Sequence, residues 1–81
     1  MKRLVESYKA YKKLAADALL CILCGDKYYL LEQDAKKASC FLGKISTKDG
    51  VQYLCFEKEK LDETLPIIIR RNYRVVLCEI L

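Results

Sequence analysis

Leu4, Tyr8, Tyr11, Leu14 and Ala15 recur at spacings of three and four, with Arg3, Lys9, Lys12 and Lys13 on the remaining surface. Lys2 to Ala16 is therefore predicted as an amphipathic helix. Ala18 to Cys24 then runs Ala-Leu-Leu-Cys-Ile-Leu-Cys without a polar residue. Such a run suits a strand buried on both faces and is too short to cross a bilayer. Gly25-Asp26 supplies a tight turn, because Gly accepts positive φ and Asp bonds its own backbone. Lys27 to Leu31 resumes as a strand through Tyr28, Tyr29, Leu30 and Leu31. Asp34 reads as the N-cap of a helix over Ala35 to Leu42, with Ala35, Ala38, Phe41 and Leu42 on one face and Gly43 at its end.

The second half repeats the logic. Gly43 to Thr47 and Val51 to Phe56 flank Lys48-Asp49-Gly50, and an Asp-Gly pair between apolar segments signals a hairpin. Glu57 to Arg71 returns to helical spacing through Leu61, Leu65, Ile68 and Ile69, acidic at its start and basic at its end. Pro66 interrupts it, which requires a kink or a regular helix beginning near Asp62. Asn72 suits a left-handed C′ position, and Tyr73 to Leu81 is a last, largely buried strand. The order is α-β-β-α-β-β-α-β: one small α+β domain over residues 1–81, a mixed sheet partly covered by helices.

Composition narrows the chemistry. The 81 residues carry 15 Lys and Arg against 11 Asp and Glu, a net charge of +4, which permits nucleic-acid binding without demanding it. No His is present, so neither a Ser-His nor a Cys-His dyad can form. The carboxylates of Glu57, Glu59, Asp62 and Glu63 read as a solvated helix face, and no phosphate loop of the Gly-x-x-x-x-Gly-Lys-Ser/Thr type occurs. The reading is therefore non-enzymatic and without cofactor. Five Cys fall mostly inside apolar runs. Cys21-x-x-Cys24 lies in a strand, where residues three apart point to opposite faces, so small buried side chains are expected rather than a metal or redox pair. Met1 to Ala15 has no apolar signal region, so a cytoplasmic chain without membrane contact is the simplest expectation.

Taken together, Asp17-Ala-Leu-Leu, Cys24-Gly-Asp-x-Tyr28, Asp34-Ala-Lys-Lys-Ala-Ser39, Leu42-Gly-x-Ile-Ser-Thr-Lys48 and Tyr73-Arg-Val-Val-Leu-Cys-Glu79 resemble the amino-terminal mismatch-recognition domain of the MutS DNA mismatch-repair proteins, colinear from about Tyr8 to Glu79. The resemblance implies that domain's fold, standing alone. In the family a Phe-x-Glu follows the Gly-Asp turn; the Phe stacks on the mispaired base and the Glu bonds its edge. Here Lys27 stands at the Phe position and Tyr29 at the Glu position, and the family's Gly-x-Pro-x-His is replaced by Cys55-Phe56-Glu57-Lys58-Glu59. A Lys has no π face with which to offset unstacking. The implied function is a nucleic-acid-binding module, DNA favoured over RNA, without mismatch specificity. Lys27 and Tyr29 would offer a cation and a ring, and Lys36, Lys37, Lys44 and Lys48 would offer phosphate contacts. The bland alternative is that the lysines are a solvated face and Tyr29 packs on the domain. A protein-interaction module, pairing with a partner or a second copy through an apolar surface or a sheet edge, is the other functional reading.

Overall fold

A computed structural model describes residues 2–80. Its elements are α1 (Lys2–Lys12), β1 (Ala18–Cys24), β2 (Lys27–Leu31), α2 (Glu32–Ala38), β3 (Ser46–Lys48), β4 (Val51–Glu57), a 3₁₀ turn (Lys58–Lys60), α3 (Leu61–Arg70) and β5 (Arg74–Glu79). The strands form one mixed sheet in the order β3-β4-β2-β1-β5, with β1 and β5 parallel and the other pairs antiparallel. This is the α+β order read from the sequence.

β1 is an interior strand between β2 and β5, and its unbroken apolar run is explained by helices on both faces. On one face Leu19 and Cys21 join Leu30, Ala35, Ala38, Leu54 and Ile68 under α2 and α3. On the other, Leu20 and Ile22 join Leu4 and Leu31 beneath α1. Cys21 and Cys24 accordingly belong to opposite faces and cannot share one metal ion.

The element boundaries depart from the sequence reading in instructive ways. α1 ends at Lys12 rather than Ala16, and Leu14, expected on its buried face, is 84% exposed. The Lys12 side chain turns inward at that point, donating to the Ala18 carbonyl and to both carboxylate oxygens of Asp34, at 2.8 and 3.0 Å. α2 spans Glu32–Ala38, so Asp34 is not its N-cap. The helix follows β2 with no loop, and Glu32 makes the junction in the left-handed region at φ 51°. That conformation costs a non-glycine residue about 1–2 kcal/mol; Glu32 also accepts a hydrogen bond from the Gln52 N–H at 3.3 Å.

Asp34 is fully buried and accepts from the Leu20 N–H at 3.1 Å. β2 pairs with β1 only from Ile22 upward. Beyond Tyr29, β2 stays paired with β4 but not with β1, and the Asp34 carboxylate takes the place a strand carbonyl would fill. The chain of Gly43 to Ile45 is irregular, leaving β3 three residues long. Pro66 lies inside α3, at its sixth residue and exposed, where its missing N–H leaves the Asp62 carbonyl without its helical donor. The predicted terminal strand ends at Glu79; Leu81 lies outside the described residues.

Candidate nucleic-acid interface

The β1–β2 hairpin turns at Gly25-Asp26, and Gly25 sits at φ +69° with nothing near the position of a β-carbon. Lys27 opens β2 directly after the turn and is exposed. It pairs across the sheet with Cys24 on one side and Glu57 on the other. The Lys58 N–H donates to the Asp26 carbonyl at 3.0 Å, fastening the end of β4 to the turn. The hairpin tip is thus a braced projection rather than a loose loop.

Alternation sends the two tyrosines of β2 to opposite faces. Tyr28 stacks on Phe56 with ring centroids 5.4 Å apart, on the α2–α3 face. Tyr29 lies half-buried against Tyr53, centroids 5.9 Å apart, on the α1 face. Burial pushes the Tyr29 phenol up, with Cys55 and Cys24 adding to the rise and the charge of Lys27 opposing it. Tyr29 therefore presents only part of its ring, beside the cation of Lys27.

Lys36 and Lys37 are exposed in the last turn of α2, Lys44 is exposed in the following loop, and Lys48 is exposed at the end of β3. Of these, Lys48 stands well away from the hairpin tip. Lys27 pairs with Glu57 and Lys48 with Val51, the two ends of β4. At about 3.3 Å per residue the two lysines stand roughly 20 Å apart. What the structure brings to Lys27 instead is a cleft of about 410 Å³, where β4, the 3₁₀ turn and α3 meet the loop after α2. Phe41, Leu42, Phe56 and Ile67 give it apolar walls, while Glu57, Lys60 and Glu63 supply charge. Arg71 stands beside it, its guanidinium 5.1 Å from the centre of the Phe41 ring.

Sequence reasoning passed over this cleft because its walls come from four separated segments and no short motif joins them. Phe56 lies directly opposite Tyr28, but β2 and β4 belong to different hairpins, so no local signal in the sequence pairs the two rings. Among the described residues, no three His, Cys, Asp or Glu side chains gather as metal ligands. Among the same residues, no helix is long and apolar enough to cross a membrane.

Comparison with known proteins bears on this frame. The family model for MutS domain I matches residues 2–81. A DNA mismatch repair protein MutS from Cytophaga hutchinsonii is 35% identical over 81 residues, covering 93% of this chain and 10% of its own length. The MutS proteins of Salinibacter ruber and Rhodopirellula baltica are each 34% identical, over 94% and 98% of this chain and 9% and 10% of their own lengths. The chain thus spans about a tenth of the length of these curated relatives.

Proposed function

The chain belongs to the MutS domain I family, and from that premise we propose that it is a non-catalytic DNA-binding module that does not read mismatches. The observation that carries this reading is the exposed Lys27 at the tip of a braced hairpin, where the family places its stacking Phe. The hairpin's leading side chain is a point charge, which attracts phosphate and cannot wedge into a base step. Tyr29, half-buried against Tyr53, replaces the edge-bonding Glu with a ring held largely within the domain.

Lys36, Lys37 and Lys48 supply further phosphate contacts in this reading. The roughly 20 Å between Lys27 and Lys48 corresponds to about six nucleotide steps along one strand at ~3.4 Å each. Contacts so spaced fix register on a backbone and carry no sequence information. Duplex affinity is therefore expected to fall steeply with salt, and Lys27→Glu is expected to lower both the affinity and the magnitude of the slope of log K against log salt, the latter by about one. A titration over a salt series measures both. Binding no tighter than millimolar at low salt, with no slope, would overturn the reading.

A second reading is favoured by β5. This strand ends the sheet, so its outer edge has no partner among the described residues, and Leu77 in its middle is 45% exposed. The opposite edge, β3, is three residues long, fully exposed and ends in Lys48, the usual guards against edge pairing. β5 has six residues, four of them apolar, and neither Lys nor Pro. It therefore offers a place for a second copy of the chain to pair.

A further inference from the structure

The cleft beside Lys27 contains groups the phosphate-binding reading does not use. Its rim carries Lys27 and Lys60 as cations and Glu57 and Glu63 as anions. Among the described residues the side chains of these four make no hydrogen bond and no ion pair. The cleft they line is about 410 Å³, within the range of small-ligand sites. Its walls hold two braced rings. Phe56 is stacked on Tyr28, and Phe41 on Tyr73 with centroids 5.9 Å apart. β3 reaches only as far as Tyr53, so no strand covers the outer side of Phe56.

We propose that this cleft takes one unstacked nucleobase from a single DNA strand, an inference that rests on the DNA-binding reading above and deepens it. The chemistry selects that ligand class. A nucleobase has a flat π face for Phe56 and an edge that mixes donors and acceptors, which carboxylates and ammonium groups answer together. An inorganic anion would meet two carboxylates and leave the rings unused. An aliphatic ligand would meet four charges. A base inside a duplex presents neither face nor pairing edge, and extracting it costs a few kcal/mol. Lys60, which lines the cleft, and Arg71 beside Phe41 offer cations for the phosphates next to the base.

The test uses the whole chain and three probes: a thymidine strand of about twelve nucleotides, the same strand with abasic sugars throughout, and a blunt duplex of equal length. Fluorescence anisotropy at low salt reads the affinities. The thymidine strand is expected to bind about tenfold or more tighter than the abasic one. Phe56→Leu, which keeps the apolar bulk, is expected to lower the thymidine strand to the abasic level while leaving duplex binding unchanged. Glu63→Gln on the exposed rim gives a second variant that does not disturb the core, expected to alter base preference among homopolymer strands. Equal affinity for thymidine and abasic strands, both falling with salt, overturns this inference and leaves the DNA-binding reading standing. No affinity for any of the three overturns both.

Discussion

At Asp34 one carboxylate serves three neighbours: the Leu20 N–H, the Lys12 ammonium and, through charge, the Tyr8 phenol. Burial pushes that phenol up to about 12, and Asp34 adds to the rise. A fully buried carboxylate is stable only when paired and hydrogen-bonded. Removing it strands Lys12, which is 20% exposed and retains the Ala18 carbonyl. Asp34→Ala is therefore expected to cost about 3 kcal/mol, the low end for breaking a buried pair. Lys36→Ala on the exposed side of the same helix should change stability by less than about 0.5 kcal/mol. Urea denaturation of the two variants checks this, and equal effects would contradict it. Cys21 gives a second residue-scale expectation. Burial, with Asp34 and Cys78 adding, pushes its thiol from 9.0 up to about 12. The folded protein thus holds a proton that the unfolded chain releases above pH 9. Stability is full below that pH and declines between pH 9 and 12, by about 1.4 kcal/mol per unit for this one group. Cys21→Ala should make that part of the curve shallower, leaving the contributions of Cys78, Tyr29 and Tyr8; an unchanged slope would contradict it.

At the scale of elements, the β1–β2 hairpin was legible because everything that specifies it is local: two apolar runs and a Gly-Asp turn. The helix after it was misplaced for the opposite reason. Capping preferences marked Asp34 as a start, but the Leu20 N–H, fourteen positions earlier, needed an acceptor where the β1–β2 pairing had stopped. A buried polar group left unmade costs more than a surface cap gains. The overlong first helix has the same origin, since Lys12 is drawn inward to that carboxylate. The charged rim and ring walls of the cleft stayed hidden because each residue looks ordinary in its own segment. β5 carries this scale's prediction. The Ile80 N–H donates to the Leu23 carbonyl, so by alternation Val75, Leu77 and Glu79 turn their backbone groups outward. Antiparallel pairing about a two-fold axis sets Leu77 against its own copy. Sedimentation is expected to show concentration-dependent dimers that Leu77→Lys abolishes; a monomer at every concentration would remove the second reading.

For the whole molecule, the chain belongs to the MutS domain I family and carries an exposed Lys27 at its hairpin tip. Architecture was readable from order and spacing over the chain, whereas the proposed function rests on two positions, Lys27 and Tyr29, and on how far Tyr29 is held down by Tyr53. The most direct measurement is a side-by-side titration of a perfectly paired duplex and the same duplex with one mispair, repeated over a salt series. With Lys27 in place of a stacking ring, the two affinities are expected to agree within about threefold and to fall with the same salt slope. A preference of tenfold or more for the mispaired duplex, or no binding to either at low salt, would contradict the proposed function.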